Sequence, residues 1–379
     1  MSELVLANAR VVTRDEAFLG AVRVDGGRVA EVDTTPGARR GSTDCEGDWL
    51  IPGLVELHTD VLERHAFPRP GVRWPEDAAV VAYDGQLAAA GITTSFDSLA
   101  VGYVIDTGQR PRDPRPLAEA IGRTQARGLL RAEHFLHVRC EVSTAGVVAD
   151  FEPFADDPLV CLVSLMDHTP GQRQFVSLDK YCEYYQGKYG LSDAQMTALI
   201  QARVADQQRY AAHHRAEITR RCRARGLTLV SHDDATIAHV EEAAKVGTAI
   251  AEFPTTLEAA HAARAYGLAI LAGAPNVVCG GSHSGNVAAL DLARHGLLDI
   301  LSSDYVPAAL LHAALLLHTR LGLSLPAAIA TVSATPAERA GLDDRGEIAP
   351  GRRGDLVRVR VVDGLPVVRA VWRQGHRIA

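Results

Sequence analysis

Leu54-Val55-Glu56-Leu57-His58-Thr59-Asp60 is the stretch on which the reading of this chain turns. Ile51-Pro52-Gly53 introduces it, and a short apolar run bounded in this way predicts a buried strand. His58 and Asp60 lie two apart at its end, so they project to the same side. Two ligand-type side chains on one side of a strand end suit a metal at the mouth of a parallel barrel. A single His-x-Asp is ordinary, and its weight comes from what later strands carry.

Outward from that stretch, strand patterns recur near 54–58, 92–97, 135–141, 158–166, 227–232, 248–253, 268–272 and 298–304, mostly separated by helical patterns. This alternation predicts a parallel sheet with crossover helices. The chain ends read differently. Residues 4–32 alternate apolar and polar positions around an Asp25-Gly26-Gly27-Arg28 hairpin turn, and 354–371 do the same around Gly364. The expected architecture is therefore α/β: a distorted (β/α)8 TIM-type barrel over 53–341, with a small β-sandwich domain built from 1–52 and 342–379. The connection at 169–226 is too long for a simple crossover. Ser192 and Gln195 form a capping box ahead of apolar positions Met196, Ile200, Val204, Ala211 and Ile218, which predicts a long helix. The insertion reads either as a lid over the barrel mouth or as a contact between subunits.

The 379 residues, 47% hydrophobic and 22% charged, suit a barrel with a small companion. A net charge of −7 carries no nucleic-acid footprint. No apolar run is long enough to span a membrane, and Met1 to Ala7 lacks the pattern of a signal peptide. Six scattered cysteines without Cys-x-x-Cys suit a reducing cytoplasm and argue against a thiolate zinc site.

Ligand-type residues recur where a barrel places its active site. After His58 and Asp60 come Glu141, His168, His232 and Asp304, each at or just beyond an expected strand end. Any one strand-end histidine is usually an ordinary hydrogen-bonded residue. Three histidines and three carboxylates on one rim instead point to one or two divalent ions, zinc as first choice and manganese as second. Gly280 to Asn286 is a loop of small residues with exposed amides and hydroxyls, including Ser282, His283 and Ser284, and suits an anion or an ordinary turn. Arg69 lies between Pro68 and Pro70, which stiffen its backbone; it reads either as a guanidinium pre-set for phosphate or as a surface arginine in a proline loop. Gln172, Arg173, Lys180 and Lys188 on the insertion either close over a polyphosphate or are solvated surface.

These residues resemble the amidohydrolase superfamily across essentially the whole chain. The Pro-Gly-led first strand, the two later histidines, the final aspartate and Gly346 to Val357 carry the likeness. Asp60 stands where that superfamily usually has a second histidine. No lysine ends a barrel strand, so the resemblance implies Glu141 as the bridging carboxylate. The superfamily usually carries its later histidines on strands five and six, whereas His168 and His232 fall on four and five by this count. A narrower likeness, to the ribose methylphosphonate triphosphate diphosphatases of the carbon–phosphorus lyase pathway, rests on further strings. They are Leu62-Glu63-Arg64-His65, Pro68 to Gly71, Glu252 to Thr256, Gly273-Ala274-Pro275-Asn276, Gly280 to Asn286 and Ser303 to Pro307. That resemblance implies hydrolysis of a ribose 5-triphosphate to the 5-phosphate and pyrophosphate. It also implies substrate contacts at His65 and Asn276, while Val61 stands where a polar residue is expected.

The expected chemistry is metal-assisted hydrolysis at the α-phosphorus. Asp304 would orient the water and take its proton, and His283 would supply a proton or hydrogen bond. The expected partners are a phosphorylated ribose and a second copy of the chain, with no nucleic acid or membrane. The same barrel and metals would also serve a cyclic amide hydrolase or a deaminase. A non-catalytic assembly protein would need lost ligands, and all six candidates are present.

Overall fold

The structure is a computed structural model that describes residues 3–35, 37, 41–102, 113–175, 178–282 and 284–379, the side chains at 175, 180, 184, 188 and 189 excepted. His283 and the side chains of Lys180 and Lys188 therefore lie outside the described residues.

Eight parallel strands form the barrel: Leu54–Thr59, Ile92–Val101, Glu133–Glu141, Val160–Met166, Thr228–His232, Ile250–Glu252, Ala269–Gly273 and Ile300–Ser302. They pair in chain order, and each corresponds to an expected one. The eighth meets the first through a parallel bridge between Thr59 and Asp304 and a bond from the Asp304 amide to the His58 carbonyl at 3.0 Å. Glu56 reinforces this closure from inside. Its carboxylate accepts the amides of His58 at 2.7 Å and Ser303 at 2.6 Å.

Strand alternation sorts the barrel residues. Leu136, Val138 and Cys140 face the helical layer and join the largest apolar core. Val55, Leu57, Phe96, Leu162, Val230, Ile250, Leu271 and Ile300 fill the barrel interior. Short helices follow the strands with recognisable starts. Thr236 and Thr256 cap Ile237–Lys245 and Leu257–Ala265 by accepting backbone amides of His239 and Ala259.

Both chain ends build a second, mixed sheet. Its order is His376–Arg377, Leu365–Arg373, Leu356–Val362, Trp49–Pro52, Leu4–Val12, Ala17–Asp25 and Arg28–Asp33. The sheet closes on a core of its own in which Val29 from one edge and Trp372 from near the other meet in one cluster. Gly53 links the two sheets. A Cβ there would collide with Thr93, and its amide donates to the Asp355 carbonyl at 2.8 Å, so only glycine lets the chain pass directly into the barrel.

The insertion contains Leu178–Tyr189 and the 33-residue helix Asp193–Arg225, which begins at the expected Ser192–Gln195 capping box. Gly226 ends it in the left-handed conformation. Tyr181 and Met196 centre a small satellite core between the two helices. Among the described residues, no helix is long and apolar enough to cross a membrane.

Candidate active site

The strands deliver their ligand-type side chains to a cavity of about 680 Å³ at the C-terminal mouth of the barrel. All six expected metal residues, His58, Asp60, Glu141, His168, His232 and Asp304, line it, as do Arg69, Asn276, Ser282, Ser284 and Asn286.

Carboxylates orient the three histidines. Glu252 accepts from His58 Nδ1 at 2.6 Å with one oxygen and from His232 Nδ1 at 2.7 Å with the other. Glu141 does the same for His168 Nδ1 at 2.6 Å, supported by the Ser143 hydroxyl at 2.6 Å. Each Nδ1–H is thereby committed, which leaves each Nε2 as the ring nitrogen that can turn to a ligand. Asp233 completes one group, with Oδ2 at 3.3 Å from His232 Nε2 and 3.7 Å from His168 Nε2. That oxygen is buried and has no hydrogen-bond partner among the described residues. Two imidazole nitrogens and an unsatisfied carboxylate oxygen facing one point fit a divalent ion. A second group, His58, His137 and Glu252, is close enough in distance. There His137 is already occupied: it donates Nδ1–H to the Leu57 carbonyl at 2.9 Å and meets the Ser164 hydroxyl through Nε2.

The electrostatics follow from this packing. Burial pushes the Glu141 carboxyl up, but the neighbouring His168 charge and hydrogen bond outweigh it and bring it down to about 2. Burial lowers His168, and Glu141 with Asp233 outweigh that and raise it to about 9. Burial raises Asp304; His58 and Arg139 oppose it, while Asp60 and Glu252 reinforce it.

Asp233, Phe253 and Asp304 follow strands five, six and eight with φ of +54°, +55° and +54°. Left-handed backbone at non-glycine residues costs roughly 1–3 kcal/mol each and gathers at functional sites. Here each turn re-aims a side chain into the mouth of the barrel.

Other expected contacts fall elsewhere. Arg173 is buried away from the cavity, with its guanidinium on Asp234 and on Glu242 at 3.0 Å. Gln172 does not line the cavity either; Gln174 and Tyr185 do so for the insertion. The turn at Arg173, with φ +43°, moves the cavity-facing position by one residue. His65 Nε2 meets Gln86 at 2.9 Å outside the cavity lining. Val61 packs in the apolar core, so it has no need of a polar side chain there. In the 280–286 loop the amides of Gly281, Ser284 and Gly285 are consumed within the segment or by Asn276, and Ser282, Ser284 and Asn286 line the cavity. Sequence reasoning passed over Glu252, Asp233, His137 and Arg139. Glu252 ends a strand just as Glu141 does, and that signal was available.

A parallel barrel with a terminal mixed sheet is also the fold of an amidohydrolase of known structure, which superposes with a TM-score of 0.60 at 16% identity. Solved structures agree. A 5-methylcytosine deaminase from Klebsiella pneumoniae superposes with a TM-score of 0.66 at 14% identity, over 99% of this chain and 98% of its own. A molinate hydrolase gives 0.66 at 13% identity, over 99% and 94%. No family model matches the chain. In sequence, it is 46% identical over 377 residues to the alpha-D-ribose 1-methylphosphonate 5-triphosphate diphosphatase of Escherichia coli (strain K12), covering 99% of this chain and 100% of that one. The chain belongs to the family of these diphosphatases.

Proposed function

We propose that this chain hydrolyses α-D-ribose 1-methylphosphonate 5-triphosphate to the 5-phosphate and pyrophosphate. The observation that carries the reading is the 46% identity, end to end, with a relative named for that substrate. The cavity supports it chemically, because a histidine–carboxylate mouth and an arginine- and amide-bearing wall share one space.

The residues that would hold one or two divalent ions are His58, Asp60, Glu141, His168, His232 and Asp304, joined by Asp233. Zinc suits the imidazole and carboxylate donors best, with manganese second. The chemistry supplied there would be charge screening of phosphoryl oxygens and a water made acidic, its pKa falling from about 15.7 toward about 7. Asp304 orients the attacking water and accepts its proton, a task that suits a carboxyl held above its usual range by burial. Arg69, Asn276, Ser282, Ser284 and Asn286 bind the polyphosphate and screen the charge of the leaving pyrophosphate. The insertion acts as a lid, with Gln174 and Tyr185 closing the cavity from above. Asn276 is set for its part, because its carbonyl accepts the Ala289 amide at 3.0 Å and so directs its NH2 group elsewhere. Six free cysteines are consistent with a cytoplasmic enzyme. The assembly would be a homodimer.

Phosphorus NMR of the zinc- or manganese-loaded protein with the triphosphate tests this. Pyrophosphate and the 5-phosphate are expected. Orthophosphate would place attack at the far end of the chain of phosphates, and an unchanged spectrum with metal bound would overturn the reading.

A further inference from the structure

The third barrel strand sends His137, Arg139 and Glu141 into the barrel, alternating with Leu136, Val138 and Cys140 on its outer face. His137 and Glu141 have partners. Arg139 has none among the described residues. It is only 8% exposed, it lines the cavity, and its Nε is buried without a hydrogen bond.

The other four buried arginines differ in having side-chain partners, although Arg173, Arg203 and Arg353 also leave Nε unpaired among the described residues. Arg173 binds Asp234 and Glu242, Arg345 binds Glu133 and Asp344, and Arg353 binds Glu133 and Asp355. Arg203 donates to the Ser143 hydroxyl at 3.3 Å. Burying a guanidinium without a partner for its charge is costly unless something else satisfies it. Asp233 and Asp304 feel its charge, yet neither bonds it. Asp233 also faces the histidine nitrogens, and Asp304 lines the same cavity. Once a divalent ion claims them, the charge on Arg139 needs a counter-ion from outside the protein.

We propose that Arg139 binds two non-bridging oxygens of the phosphoryl group under attack, and so selects substrates that are anionic at the reacting centre. This rests on the diphosphatase reading and adds a residue to it. The planar fork of a guanidinium matches two oxygens of a tetrahedral oxyanion, and the described residues of the cavity give it no other partner. A neutral cyclic amide would leave the cation unpaired, so the same residue disfavours amide substrates.

Arg139→Met and Arg139→Lys in the metal-loaded protein test the assignment. The readouts are inorganic phosphate affinity by calorimetry, metal content, melting temperature and, in parallel, triphosphate turnover. Arg139→Met should keep its metal and weaken phosphate binding 10- to 100-fold, with kcat falling more than KM rises. Arg139→Lys should recover only part of the affinity, because it restores the charge without the fork. Phosphate affinity unchanged in Arg139→Met overturns the proposal. So does loss of metal with wild-type phosphate binding in the loaded fraction, which would make Arg139 a counter-ion for the carboxylates. If Arg139→Met does not fold, wild-type phosphate affinity in Arg139→Lys overturns it. Wild-type protein that binds phosphate through Arg139 but releases no pyrophosphate would remove the diphosphatase reading alone.

Discussion

Glu252→Gln isolates the role of one buried carboxylate. Glu252 is 1% exposed and holds His58 with one oxygen and His232 with the other, while the Ser164 hydroxyl lies 3.1 Å from the second. Glutamine has nearly the same shape but only one accepting end. At its amide end an NH2 group meets an Nδ1–H, and two donors cannot bond. That imidazole must take the other tautomer, which puts the proton on Nε2 and removes the lone pair a metal would use. Loss of an orienting partner of this kind typically costs 10- to 100-fold in metal affinity. That is about 1.4–2.8 kcal/mol of binding. Competition against a chromophoric chelator measures the affinity, and nitrogen-15 NMR of labelled histidines reads the tautomers. A dissociation constant within threefold of wild type, with Nδ1–H retained on both rings, would refute the argument.

Further outcomes are open to direct measurement. Asp233→Ala and Glu141→Ala should each lower the metal content determined by elemental analysis; full content in either variant removes that residue from the ligand set. Burial lowers His134, but Asp97 and Asp84 outweigh it and raise it from 6.5 to about 9. A pKa raised in the folded state gives stability that is complete below pH 6.5 and lost as pH rises through 9, on the order of 3 kcal/mol. Resistance to denaturant should therefore weaken as pH rises between those values, and an identical pH slope in His134→Gln would exclude this histidine as the source. Arg173→Ala leaves Asp234, 1% exposed, without its cation, and breaking a buried pair in this way costs roughly 3–5 kcal/mol. Early melting with faster proteolysis of the 169–226 segment is expected, and wild-type values for both would mean that the pair does not anchor the insertion.

The barrel was legible because its signals are local. Apolar runs bounded by Gly and Pro located all eight strands, and the capping box at Ser192 located the start of the long helix. His58, Asp60, Glu141, His168, His232 and Asp304 were found by a single rule, that a barrel works at the ends of its strands. The fold comparisons support the chain layout on which that rule depends.

The same rule applied one residue at a time misses what the turns do. Alternation would send Asp233 away from His232, but left-handed backbone at Asp233 turns its carboxylate toward the histidine nitrogens. Arg173 and Gln174 exchange their expected roles for a similar reason. The strand pattern, the termini that pair with each other and the identity of the rim residues follow from hydrophobic periodicity and turn chemistry, which act over a few residues. Which carboxylate orients a histidine and which faces an ion, and whether a buried arginine finds a partner, depend on strands far apart in the chain. Glu252 meets His58 only because the barrel closes, and Arg139 stands without a partner among the described residues only because of what that closure brings around it.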